Sequence, residues 1–157
     1  MQNIITHLWF DKQAEEAVNF YVSVFKNSKV GDITHYTEAG EKVHKMPAGC
    51  VMTIEFELNG QKFLALNGGP IFRFTEAISL MVPCDSQEEI DEYWEKLSAG
   101  GEKSAQQCGW LKDRYGLSWQ IVPADIGEIM KDLNKSERAM AAFMNMKKID
   151  IAALKAA

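Results

Sequence analysis

Apolar residues recur along this chain with two periods, and their order predicts its elements. Asn3 to Phe10 is rich in Ile, Thr, Trp and Phe and predicts a strand. Asp11 offers an N-cap to a helix over 12–25, where Ala14, Ala17, Val18, Tyr21 and Phe25 form one stripe. Asn27-Ser28 breaks that helix, Lys29 to Thr37 predicts a second strand, and residues 38–47 predict a turn and a loose loop. From Val51 to Leu58 the pattern alternates: Val51, Thr53, Glu55 and Glu57 oppose Met52, Ile54, Phe56 and Leu58. Asn59-Gly60 predicts a tight hairpin, because both central residues of a type I′ turn take positive φ. Gln61 to Leu66 returns as a strand, and Asn67-Gly68-Gly69-Pro70 stops it.

The pattern then begins again. Glu76 to Val82 predicts a strand, and Ser86 with Glu89 makes a capping box for a helix over 86–98 that buries Ile90, Tyr93, Trp94 and Leu97. Gly100-Gly101 ends that helix. Gln107 to Lys112 and Leu117 to Val122 predict strands joined through Asp113-Arg114-Tyr115-Gly116, and Pro123 ends the sheet. Asp125 with Glu128 makes a second capping box before a helical tail over 125–154 in two or three pieces. The order is therefore β-α-β-β-β, twice, then helices. The residues echo the repeat: Glu15–Tyr21 parallels Glu88–Trp94, and Asn59-Gly60-Gln61-Lys62-Phe63 parallels Tyr115-Gly116-Leu117-Ser118-Trp119.

Composition narrows the class. At 157 residues, 46% hydrophobic and 25% charged, the chain is ordinary globular protein. A chain of this length buries roughly two-thirds of its unfolded surface and needs no disulfide or structural metal to fold. A net charge of −5 argues against nucleic acid as partner. Three unpaired-looking cysteines, Cys50, Cys84 and Cys108, do not read as a disulfide framework. The N-terminus lacks the basic-then-apolar pattern of a signal peptide, and no apolar run has the length of a membrane span. The expectation is a cytoplasmic protein.

The segments AEEAVNFYVSVFKNS, FLALNGGPIFRFTEAIS, QEEIDEYWEKL and CGWLKDRYGLSWQIVP resemble the PhnB-like proteins. These belong to the glyoxalase/bleomycin-resistance/dioxygenase superfamily, also called vicinal oxygen chelate proteins, and many carry the label 3-demethylubiquinone-9 3-methyltransferase. The resemblance implies an α+β fold: two βαβββ modules whose mixed sheet curves into a cup, followed by C-terminal helices. It implies one domain over 1–157, with module one at about 1–70, module two at about 75–124 and helices at about 125–156. It also implies a homodimer. Superfamily enzymes hold a divalent metal in the cup with His or Glu from the first and last strands of each module. Those positions fall here at Thr6 or His7, at Leu64 or Ala65, at Ala77 with Glu76 beside it, and at Gln120. The weak set His7, Glu76 and Gln120 offers one imidazole, one carboxylate and one neutral amide, so no resident metal or other cofactor is expected. The methyltransferase label needs a Gly-rich turn after a first strand. Here Phe10-Asp11-Lys12-Gln13 has no glycine, and Gly68-Gly69 is followed by Pro70.

The candidate ligand-binding residues are His7, Trp9, Asn67, Trp110 and Gln120, lining an apolar cup that takes a small organic molecule. Gln120 is expected to face the cup and Trp119 away from it. An amide can hydrogen-bond a ligand but cannot act as a base. His35 and His44 read as surface positions, Cys108 as a buried inert thiol, and Lys112 and Asp113 as a pair across a strand end. Phe72, Arg73 and Phe74 form a lid or a subunit contact. Met130, Met140, Met144 and Met146 read as a packing surface. The alternative function is a metal-dependent lyase, isomerase or dioxygenase. A third is a structural or regulatory partner module.

Overall fold

The computed structural model describes residues 4–133 and 137–156; Asn3 of the first expected strand and residues 134–136 of the expected helical tail lie outside them. The chain divides into two units, residues 1–73 and 74–157.

In the first unit, strands β1 (Thr6–Phe10), β2 (Lys29–His35), β3 (Val51–Leu58) and β4 (Gln61–Asn67) form one sheet in the order β1-β4-β3-β2. β1 runs parallel to β4, and the other pairs are antiparallel. The hairpin between β3 and β4 is the one the sequence predicts, with Asn59 at φ +47° and Gly60 at +81°. Alternation divides the sheet. Leu8, Phe10, Ile54, Phe56, Leu58, Phe63 and Ala65 are buried, and so are Ala14, Ala17, Val18, Tyr21 and Val24 of helix α1 (Ala14–Val24), which contacts β3 and β4. His7, Trp9, Glu55, Glu57, Leu64 and Leu66 take the opposite, open face.

Helix α1 does not begin as expected. Its N-cap is Gln13, not Asp11. The Ala14 N–H donates instead to Asn67 Oδ1 at 2.9 Å, from the end of β4. A distant side chain thus satisfies a helix-terminal donor that a local cap would otherwise take. β2 is exposed throughout, and its register with β3 shifts between Val30 and Ile33. The loop beyond it contains a short helix, α2 (Glu41–His44), which the sequence pattern does not signal.

The second unit repeats the plan with one strand fewer. Strands β5 (Ser79–Cys84), β6 (Trp110–Lys112) and β7 (Ser118–Pro123) form a sheet in the order β5-β7-β6, with β5 parallel to β7. Helix α3 (Gln87–Ser98) has its capping box: Ser86 Oγ accepts the Glu89 N–H at 3.3 Å, and Glu89 Oε2 accepts the Asp85 N–H at 2.9 Å. Where the first unit has β2, this unit has a single 3₁₀ turn, Lys103–Ala105. The expected strand from Gln107 shortens because Cys108 (φ +50°) and Gly109 (φ +84°) turn the chain before Trp110. The expected strand from Glu76 begins later, since Glu76–Ile78 form a turn and the Ala77 N–H donates to Thr75 Oγ1 at 3.4 Å.

Helices α4 (Ile126–Leu133), α5 (Glu137–Met144) and α6 (Ile151–Ala156) close the unit. Val122, Ala139, Ile149 and Leu154 form their buried cluster, with Ile126, Ile129, Met130, Met140, Phe143 and Met146 packed against it. At the second expected capping box, the Glu128 N–H bonds the Asp125 carbonyl at 2.9 Å, while the Asp125 carboxylate lies 3.7 Å from Lys155 Nζ.

Candidate functional site

In the second unit, Leu80, Val82 and Cys84 pair in register with Trp119, Ile121 and Pro123, and these take the face covered by α3. The residues between them must point the other way. Met81, Gln120 and Trp110 therefore make one rung across β5, β7 and β6 on the open face. Above that rung lies a groove of about 670 Å³. The sheet supplies Met81, Trp110, Gln120 and Val122, the turn supplies Gln107 and Cys108, and α4 and α5 supply Ile126, Met130, Phe143 and Met144. Gln120 brings the amide into this apolar wall, its Nε2 donating to Ser79 Oγ at 2.8 Å.

The groove's carboxylate is Glu76, which is ion-paired with Lys112. The Lys112 ammonium holds the Glu76 carboxyl below its usual range, and Glu76 in turn raises Lys112. The pairing of Asp113 with Lys112 expected from sequence does not form; Asp113, just past the end of β6, is buried and turns inward to other partners. Asp113 Oδ1 accepts the Tyr115 N–H (2.8 Å) and Leu117 N–H (3.1 Å), and Oδ2 accepts the Trp119 indole N–H (2.8 Å).

The first unit has a smaller pocket of about 200 Å³ on its open face, lined by Ile5, His7, Lys29, Glu55, Lys62 and Leu64. His7 is exposed there, opposite Leu64 in register. Trp9 lies on the same face. Its indole N–H donates to Gly69 O at 2.9 Å, and its ring stands edge-on to Phe72 at 5.0 Å. Phe72 is 62% exposed. Arg73 is exposed and Phe74 half-buried. His35 is exposed, whereas His44 packs against the Tyr36 ring at 4.4 Å and accepts the Met46 N–H on Nδ1.

Asn67 belongs to no ligand-facing surface. It is 4% exposed, and besides capping α1 its amide donates to Val51 O at 3.1 Å, while its own carbonyl accepts the Tyr36 hydroxyl at 2.6 Å. Of the predicted ligand residues, His7 and Trp9 lie on the open face of the first unit's sheet, Trp110 and Gln120 on that of the second unit's sheet, and Asn67 is buried in the first unit.

Register also resolves the metal positions. Thr6 and Ala65 face the helix side, leaving His7 and Leu64 on the open face. In the second unit the residue opposite Gln120 is Met81, not Ala77, which lies outside β5. The first unit offers an imidazole beside a leucine and the second an amide beside a methionine, and neither pair fits a hard divalent ion. Among the described residues, no group of three or more His, Cys, Asp or Glu side chains is placed to hold one. An S-adenosylmethionine site of the nucleotide-binding kind does not fit either. The first strand–helix junction has no glycine, and the Ala14 N–H at the start of α1 is already taken by Asn67.

Paired parallel-outer sheets, each crossed by one helix, are the fold of the glyoxalase/bleomycin-resistance superfamily, and solved structures bear this out. The PhnB protein of Bacillus cereus, provisionally assigned as a 3-demethylubiquinone-9 3-methyltransferase, is 38% identical and aligns with a TM-score of 0.66, covering 77% of this chain and 99% of its own. A Pseudomonas aeruginosa protein, PA1353, aligns at 16% identity and TM-score 0.58 over 78% of this chain and 98% of its own. The fosfomycin resistance protein FosX of Listeria monocytogenes, in complex with Mn(II) and sulfate, aligns at 16% identity and TM-score 0.55, over 83% and 96%. At such identity the last two show the fold alone. The chain belongs to the PhnB-like family described as 3-demethylubiquinone-9 3-methyltransferase, which it matches over residues 2–122. No curated protein matches it.

Trp110 and Gln120 both line this groove, and both belong to the distinctive run around β6 and β7. The helical half of the groove was missed: Ile126, Met130, Phe143 and Met144 read from sequence as packing stripes, and nothing local marks where two stripes leave space between them.

Proposed function

We propose that this protein binds a small, largely apolar organic molecule in the groove of its second unit, without a resident divalent metal. The groove itself carries the reading. Its volume lies within the range of small-molecule sites, and such sites combine apolar and aromatic walls with a few placed polar groups. Trp110 supplies the ring surface and Gln120 the orienting amide. The free cysteines suit a reducing, cytoplasmic setting, and we propose a homodimer as the working form.

The test is a thermal-shift screen of the full chain against metabolites and antibiotics, followed by titration of any hit. A ligand at 100 times its Kd adds about 2.7 kcal/mol of stability. Trp110→Ala and Gln120→Leu are expected to abolish or weaken the shift, and His7→Ala to leave it unchanged. A hit that depends on His7 and on added Mn(II) or Zn(II), but not on Gln120, would overturn the proposal. Light scattering checks the dimer.

A further inference from the structure

At one end of this groove two sulfur atoms meet. Cys108 Sγ lies 3.9 Å from Met144 Sδ and 3.5 Å from the Phe143 carbonyl oxygen. The contact is held from several directions. The Cys108 N–H donates to Met146 O at 2.8 Å, the Gly109 N–H to Lys147 O at 2.7 Å, and Gln107 Nε2 to Met144 O at 2.7 Å. These bonds staple the turn before β6 to the end of α5. The turn itself is tight: a Cβ at Gly109 would stand 2.8 Å from Ile121 O. Cys108 takes positive φ there, a conformation few side-chain-bearing residues adopt. Met81 from β5 and Met130 from α4 bring two more thioethers to the same groove.

The spacing suits one shared ion. Two sulfurs each about 2.3 Å from a metal and 3.9 Å from each other subtend about 116°, close to a trigonal angle. Thiolate and thioether ligands are soft and select Cu(I) over hard divalent ions. Glu76, the carboxylate of the groove, is already paired with Lys112. We infer that Cys108 and Met144, joined by a thioether of Met81 or Met130, form a binding site for one Cu(I) ion. On binding, the Cys108 thiol loses its proton to solvent, a Cu–S bond replaces the S–H bond, and no electron is transferred. The site does not depend on the organic ligand proposed above.

The test uses the full-length, reduced chain under anaerobic conditions, titrated with Cu(I) against a chromophoric Cu(I) chelator. Ag(I) in native mass spectrometry serves as a second probe. One ion per chain is expected with each. Cys108→Ser is expected to weaken Cu(I) binding at least about 100-fold, and Met144→Leu about tenfold, with Cys50→Ser unchanged. Met144 is half exposed and leucine is close to it in volume, so this variant keeps the readout if Cys108→Ser does not fold. Binding that survives both substitutions, follows Cys50, or fails to compete with the chelator would overturn the inference. Loss of the organic-ligand shift with Cu(I) binding intact would overturn only the function proposed above.

Discussion

The indole N–H of Trp119 donates to Asp113 Oδ2 at 2.8 Å, and both residues are buried to within 2% exposure. With its other oxygen accepting two backbone N–H groups of the β6–β7 turn, Asp113 is a carboxylate spent entirely on architecture. Asp113→Ala leaves buried donors unpaired, each costing about 1–3 kcal/mol. A total loss of about 3–5 kcal/mol is expected in urea unfolding. Asp113→Asn keeps acceptor oxygen and is expected to cost about half as much. A loss below about 1 kcal/mol for the alanine variant would contradict this role.

Asn67 gives a second case. Removing a helix cap costs about 0.5–2 kcal/mol, and Asn67→Ala also frees the Val51 carbonyl. The expected loss is about 2–3 kcal/mol, with hydrogen exchange at the Ala14 amide accelerating well beyond the global change. Asn67→Asp keeps the cap acceptor and is expected to restore Ala14 protection in part.

Two glycines are expected to respond in opposite senses to alanine. A Cβ at Gly101 would stand 2.0 Å from Lys112 O, a backbone atom with no freedom to move away. Gly101→Ala is expected to prevent normal folding, read as lost soluble expression or a Tm fall of more than about 10 °C. Gly127 lies in α4 with nothing within 4 Å of an added Cβ. Gly127→Ala is expected to stabilise by about 0.5–1 kcal/mol through helix propensity.

The thiols are expected to react in the order Cys50, Cys108, Cys84. Cys50 is exposed, and burial raises the Cys108 thiol. Burial, with smaller contributions from Glu89 and Asp85, pushes Cys84 from 9.0 to about 12. Because the folded value lies above the unfolded one, this stabilisation is complete below about pH 9 and is lost as pH rises toward 12. Between pH 8.5 and 11, roughly the window of ordinary thiol ionisation, Cys84→Ala is expected to lose less stability than the wild type. Mass-mapped alkylation and Tm against pH check both statements; early alkylation of Cys84 would refute the first.

Most of the first unit is written locally. Alternation over 51–58 and the Asn59-Gly60 turn specify a hairpin with little tertiary help, and the α1 stripe survives with only its cap displaced. The second unit is less legible at its edges. The start of β5 and the shortening of β6 depend on a turn at Glu76–Ile78 and on positive φ at Cys108, neither of which follows from residue type. Position in the site follows the same division. Trp110 and Gln120 fall on the open face by period-two counting once the strand is known. Asn67 does not, because its three partners lie 16 or more residues away. Asp113 was misjudged for a similar reason, its neighbour in sequence being less important than the indole six residues on.

The irregular register of β2 has a consequence for behaviour in concentrated solution. An outer strand with regular, unpaired backbone groups is a template on which further chains can add. Here seven exposed residues form such a strand, but the register breaks after Val30, Gly31 lies tight against Glu55, and Lys29 and Asp32 place charges along the rim. An incoming strand would find at most a short run of matching partners before losing step. The outermost strand of the first sheet is thus built to resist fibril-like growth, even with Val30 and Ile33 open to solvent.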